Sequence, residues 1–388
     1  MNLFKRSFAL LLAVLVGGSI IFYLVPTLRC FVVQRLGLGG ENARLACRLN
    51  ACLDGHAKRG FSGAVLVAKD GRILVNCGYG MANYEHDVPN TPKTKFRIAS
   101  ITKPITAVAI MQLQEQGTLR VDDLLSKYLP DYPNADRITI HHLLTHTSGM
   151  PDHLAGFDYA VRARAVSTDE LIGLSKDKVL RSEPGQTYAY SNAGYALLTR
   201  IIEIASGQSY EAFLQEHIFR PAGMHDTLFD RHDRIIKDRA ANYVFSPDHQ
   251  KDFANAVWTE MSWISGAGGL LSTTEDLYRF DRALKAGTLL SPDSCKVMGT
   301  PHTEAKGPFT LARHNMEPGH DCYGYGLMVR DQLQVHEGAW PGSRALFLRN
   351  LVDDWCVIVL TNKVPSVTGP VPLFVDLNAI LSGGMQER

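Results

Sequence analysis

Ser100-Ile101-Thr102-Lys103 stands at the head of an apolar stretch with helical periodicity that runs to Gln116 and stops at Gly117. Their spacing puts the serine and lysine side chains on one helical face, a turn apart. A serine hydroxyl is a poor nucleophile until a base takes its proton, and a neutral lysine amine can be that base. A free lysine titrates near ~10.4, so the pairing requires burial or a neighbouring cation to lower that value. Pro104 falls in the first turn of such a helix, where the amides are unpaired in any case. Ser100 is then expected at a helix N-terminus, where free amides and the dipole favour developing negative charge. This is covalent chemistry without metal or cofactor, and neither is expected.

Two later clusters strengthen the catalytic reading. Tyr190-Ser191-Asn192 follows the turn Glu183-Pro184-Gly185, which delivers an aromatic hydroxyl and an amide from one short segment. His336-Glu337-Gly338 follows the alternating run 333–335 and precedes the loop 339–342. The plain alternatives are that Tyr190 is a half-buried aromatic and His336 a satisfied strand histidine. His141, His142, His146 and His153 form a histidine-rich segment in which His142 and His146 could grip zinc at i,i+4. No glutamate follows either histidine as a metalloprotease requires, so the segment reads as structural. Gly266 to Gly269 lacks the Gly-Lys-Ser/Thr of a phosphate loop and reads as close backbone packing beside the site. Trp340 and Tyr195 suit either a pocket wall or the core.

Serine and lysine, then tyrosine and asparagine, then histidine and glycine occur in an order and spacing that resembles the serine β-lactamase and penicillin-recognising family. The likeness is to its class C-type branch, which also holds D-alanyl-D-alanine peptidases, D-aminopeptidases and esterases. Phe96-Arg97-Ile98-Ala99, Lys103-Pro104, Leu143-Leu144-Thr145-His146-Thr147-Ser148-Gly149, Tyr190 to Tyr195 and Gly266 to Thr273 extend it over about residues 61–361. The resemblance implies an α/β (α+β) fold of the β-lactamase/transpeptidase-like type. In it an antiparallel sheet built from both chain ends is flanked by helices, a mainly helical part lies between, and the site occupies their crevice. It also implies an acyl-enzyme on Ser100, with Lys103 either accepting the proton or keeping Tyr190 partly ionised. Tyr190 would hand a proton to the leaving group, and Asn192 would hold an acyl-side amide or orient Lys103. Backbone amides of Ser100 and of Ala339, just after Gly338, would form an oxyanion hole. His336 departs from the Lys-Thr-Gly that β-lactamases commonly carry. Histidine titrates near ~6.5, so a substrate carboxylate would face a group largely neutral at pH 7. That weakens antibiotic hydrolysis more than serine hydrolysis.

The 388 residues, 45% hydrophobic and 20% charged, are ordinary for a globular chain. A net charge of +1 and the lack of a basic run argue against a nucleic-acid partner. Seven scattered cysteines do not make a disulfide scaffold. Residues 8–28 are almost unbroken apolar sequence behind Lys5 and Arg6, long enough to span a bilayer. An uncleaved anchor is favoured over a cleaved signal, which places the catalytic domain outside the cytoplasm. A flank at 1–7, the anchor, a connector at 29–55 and one domain at 56–388 follow. The α/β part of that domain covers about 56–97 and 305–388, and the helical part about 98–304. Early strands meet at the hairpin signal Asp70-Gly71, and late strands fall at 323–329, 345–350 and 355–361 before an apolar helix at 371–381. The expected function is a membrane-anchored serine hydrolase acting on a small-molecule or peptide ester or amide. Its rivals are a β-lactamase or D,D-carboxypeptidase acting on cell-wall peptide, and a catalytically silent binding or scaffolding relative.

Overall fold

Asp70 and Gly71 both adopt left-handed backbone conformations (φ 51° and 71°), as a two-residue type I′ turn needs. They join β1 (Gly63–Lys69) to β2 (Arg72–Tyr79). The other strands of this sheet come from the far end of the chain: β3 (Thr303–Glu304), β4 (Cys322–Tyr323), β5 (Met328–Arg330), β6 (Leu333–Trp340), β7 (Ser343–Asn350) and β8 (Trp355–Thr361). The order across the eight strands is β3-β4-β5-β6-β7-β8-β1-β2, antiparallel throughout. β8 pairs with β1 from Gly63 opposite Thr361 to Lys69 opposite Trp355, so both chain regions build one sheet, as expected. β8 reads Trp-Cys-Val-Ile-Val-Leu-Thr and is buried at every position. A strand apolar without alternation is one covered on both faces.

The structure is a computed structural model that describes residues 40–154, 159–246, 253–305, 321–364 and 371–382. The expected membrane segment 8–28 lies outside them. Among the described residues no helix is long and apolar enough to cross a membrane. The chain divides into two compact units, Met1–Gly60 with Leu373–Arg388, and Phe61–Pro372. The first holds helix Glu41–Lys58 and most of helix Val371–Leu381, joined by a 2.8 Å contact between His56 Nε2 and Asp376 Oδ2.

Within the second unit, α1 (Thr102–Glu115) is buried on every side from Thr102 to Leu113 and is the central helix of the helical part. Ser100 does not open this helix. It sits in a 3₁₀ turn, Ala99–Ile101, and the α-helix begins two residues later. Pro104 is its third residue, where its missing N–H leaves no bond unmade. α1 packs on α2 (Asn192–Ser206) and on the short helical turn Ser265–Gly268. The glycine-rich turn makes that contact possible: a Cβ on Gly266 would lie 2.4 Å from Thr199 Oγ1. The packing expected of this segment is therefore present, with the Gly266 N–H donating to Thr199 Oγ1 at 3.1 Å. α3 (Thr274–Lys285), capped by the Thr273 side chain, covers β1 and β8 with an apolar face that includes Leu277 and Phe280.

β6 meets the Ser100 turn edge-on. A Cβ on Gly338 would stand 2.1 Å from the Ile98 carbonyl oxygen, so only glycine allows the approach. Gly338→Ala is expected to destabilise the fold by about 1–3 kcal/mol or more through overpacking. It should also suppress hydrolysis by pushing β6 from the turn. Urea unfolding and turnover measured on the same variant check both effects.

Candidate active site

Lys103 is fully buried, and its Nζ has three polar neighbours: Ser100 Oγ at 3.1 Å, Asn192 Oδ1 at 2.8 Å and the Ala267 carbonyl oxygen at 2.8 Å. Each comes from a different element. Ser100 comes from the turn before α1, Asn192 from the first residue of α2, and Ala267 from the glycine-rich turn. Ala99, just before the nucleophile candidate, has φ 45°, a left-handed conformation that a non-glycine residue rarely adopts. Such strain recurs where a side chain must be aimed.

Burial lowers Lys103 from 10.5 to about 7, partly opposed by the negative charge of Asp152. A neutral amine has two N–H donors and one lone pair. Asn192 Oδ1 and the Ala267 carbonyl only accept, so they take both donors, and the lone pair is left to receive the Ser100 hydroxyl proton. Asn192 is oriented from its other end as well: its Nδ2 donates to Asp152 Oδ2 at 2.8 Å. Tyr190 is hydrogen-bonded to Ser100, and its ring centroid lies 4.7 Å from Lys103 Nζ. Burial pushes the Tyr190 hydroxyl well above 10, the Ser100 bond opposing. Its phenol keeps its proton.

His336 is held differently. The Ser191 N–H donates to His146 Nδ1 at 3.2 Å, so neutral His146 carries its proton on Nε2. That Nε2 lies 3.2 Å from Tyr323 Oη, which in turn lies 3.0 Å from His336 Nε2. His336 Nδ1 donates to the Glu337 carbonyl oxygen at 2.7 Å. The only consistent assignment has His146 donating to Tyr323 and Tyr323 donating to His336. Burial and the adjacent Lys103 charge push His336 down to about 3, and His146 is likewise held well below 6.5 by burial first. Both ring nitrogens of His336 are engaged within the protein.

The structure thus brings Ser100, Lys103, Tyr190 and Asn192 together and joins His336 to the wall beside them, 6.4 Å from the Tyr190 ring. Gly338 lies against Ile98, which brings Ala339 alongside the Ser100 turn. Asp152, the Ala267 carbonyl, Tyr323 and His146 were not foreseen as parts of the site. His142 and His146 do not form a zinc pair: His142 Nδ1 accepts from the Thr139 N–H at a helix start, while His146 stacks 4.3 Å from the Tyr190 ring. His153 donates to the Trp263 carbonyl oxygen at 2.9 Å. Trp340 is buried and donates to Thr259 Oγ1, and Tyr195 is buried and donates to the Leu144 carbonyl oxygen. Both belong to the core.

A serine beside a buried lysine at the junction of an antiparallel sheet and a helical part defines a serine hydrolase. The chain belongs to the beta-lactamase family, whose model matches residues 49–375. A penicillin-binding protein of Bacillus subtilis (strain 168) is 33% identical over 328 residues, spanning 79% of this chain and 69% of that protein. Among solved structures, a penicillin-binding protein from Bacillus halodurans superposes with a TM-score of 0.71 at 27% identity, covering 87% of this chain and 99% of the other. The D-amino acid amidase of Ochrobactrum anthropi SV3, complexed with D-phenylalanine, superposes with a TM-score of 0.75 at 25% identity, covering 88% of this chain and all of the other.

Because Lys103 is protonated below about 7, kcat/KM is expected to fall as pH drops through that value. Asp152 favours the charged amine. Asp152→Asn, which still offers Asn192 an acceptor, should therefore move this acidic limb to lower pH. A pH–rate profile whose limb stays in place in the variant would separate Asp152 from the titration of Lys103.

Proposed function

We propose that this hydrolase forms an acyl-enzyme on Ser100 and cleaves esters or amides whose leaving group carries no carboxylate, such as D-amino acid amides or esters. The observation that carries the reading is the fully buried Lys103 with its Nζ 3.1 Å from Ser100 Oγ. Lys103 takes the hydroxyl proton as Oγ attacks the carbonyl carbon. The Ser100 and Ala339 amides receive the oxyanion. The leaving group departs with the Tyr190 proton, and the proton that Lys103 took from Ser100 passes on to the Tyr190 oxygen. Water then attacks the ester, giving its proton back along the same path, and Ser100 is freed. Neutral His336, with no free N–H, offers a carboxylate nothing to bind. The D-amino acid amidase likeness supports this substrate class.

The penicillin-binding names of the relatives support a second reading, acylation of Ser100 by a β-lactam. The apolar run 8–28 behind Lys5 and Arg6 supports membrane attachment with the hydrolase on the extracytoplasmic side.

Intact-mass measurement after brief exposure to an activated D-aminoacyl ester, and separately to a penicillin, tests both. An acyl mass on the ester-treated chain that vanishes in Ser100→Ala is the expected outcome, together with released acid. Tyr190→Phe should lower turnover by about 10²–10⁴-fold. Labelling by penicillin alone would favour the second reading. Undiminished hydrolysis by Ser100→Ala would overturn both.

A further inference from the structure

Three side chains of metal-binding type converge in the first compact unit, which contains none of the residues discussed above as catalytic. Cys52 and His56 stand four residues apart on helix Glu41–Lys58 and so share one face, a turn apart. Asp376, on helix Val371–Leu381, completes the group. The thiol sulfur, an imidazole nitrogen and a carboxylate oxygen all lie within 4.8 Å of one another. His56 is buried, and Cys52 and Asp376 are half-buried.

A hydrogen bond explains part of this arrangement. His56 Nε2 and Asp376 Oδ2 are 2.8 Å apart, which suffices to hold the two helices together. It leaves the thiol unexplained. Its sulfur stands within 4.8 Å of both partners although that contact does not need it. A divalent ion between the three would neutralise the carboxylate and hold the sulfur as thiolate.

We propose that Cys52, His56 and Asp376 bind a zinc ion that fastens helix Glu41–Lys58 to the C-terminal helix. One sulfur, one nitrogen and one oxygen are a donor set that zinc accepts, at bond lengths of about 2.3, 2.0 and 2.1 Å. Tetrahedral angles at those lengths put neighbouring donors about 3.4–3.6 Å apart. The imidazole and carboxylate have only to open from 2.8 Å, and the sulfur to close from within 4.8 Å. Binding releases the Cys52 proton to solvent, moves the His56 proton from Nε2 to Nδ1 so that neutral imidazole binds through Nε2, and exchanges the His56–Asp376 contact for two bonds to the metal. Three protein ligands leave a fourth position to water. Helix i,i+4 pairs are good metal grips because the backbone fixes their spacing in advance, and the third ligand closes a loop of more than three hundred residues. Zinc would therefore act mainly on the stability of this unit.

The test uses the full-length chain in detergent, reduced and freed of metal, with cobalt as the coloured stand-in for zinc. One equivalent of cobalt should give a near-ultraviolet thiolate-to-cobalt band that zinc abolishes. Cys52→Ser should lose the band, and Asp376→Asn should weaken it. Zinc should raise the Tm of the parent chain and leave that of Cys52→Ser unmoved. In the unsubstituted chain zinc should also shield Cys52 from iodoacetamide, mapped by peptide mass spectrometry, which needs no variant to fold. Equal alkylation of Cys52 with and without zinc would leave the His56–Asp376 hydrogen bond alone and overturn the site. So would a cobalt band that persists in Cys52→Ser.

Discussion

Everything around the site depends on burying one amine. Moving Lys103 from 10.5 to about 7 corresponds to about 5 kcal/mol in favour of the neutral form. A bare ammonium in that position would be prohibitive, and a bare neutral amine would still lack partners. The fold meets this demand with Asn192 Oδ1 and the Ala267 carbonyl, each 2.8 Å away, which use both donors of the neutral group. Both acceptors lie on elements whose packing against α1 is close. The Ala267 carbonyl can be delivered there only because Gly266 lets its turn lie against Thr199 and Thr106. Core packing and the burial of this amine are one constraint.

The same burial separates the two candidate bases that the sequence leaves open. Removing water stabilises the uncharged form of every group, which lowers an amine and raises a phenol. Lys103 is thereby brought to about 7 while Tyr190 is driven well above 10. The two therefore rest as neutral amine and neutral phenol. A phenolate kept by a charged lysine would put two ions in a dry site, with Nζ 4.7 Å from the Tyr190 ring centroid. Asp152 works in the opposite sense, and the rigid amide of Asn192 between them prevents it from taking the Lys103 proton by direct contact.

Much of this was legible in the sequence because it rests on local chemistry. Asp70-Gly71 announces its turn through residues that tolerate positive φ, and the unbroken apolar run of β8 announces a central strand. The Ser100–Lys103 spacing survives even though Ser100 sits in a 3₁₀ turn, since both geometries bring residues three apart to one side. What could not be read depends on long-range closure. The Ala267 acceptor is a backbone carbonyl and has no residue-type signature. Asp152 is one of many acids, distinguished only by where its loop returns to α2. His146 carried a signal in the histidine-rich segment, but its role arises from Tyr323, far along the chain on β4. Trp340 and Tyr195 resolve to core for the same reason: their polar atoms find partners inside the fold.

Neutral His336 follows from the same electrostatics. A permanently charged side chain at that position would add a like charge beside Lys103, in a medium that screens poorly. Here the relay from the Ser191 amide through His146 and Tyr323 fixes the imidazole with an acceptor nitrogen toward a donor, so its neutral form is satisfied and its charged form is not. His336 accordingly stays neutral down to about 3, and Asp152 is the charge left to set the balance at Lys103. A cation held there for an anionic group and a neutral Lys103 would compete for one small volume, and in this protein that volume keeps Lys103 neutral.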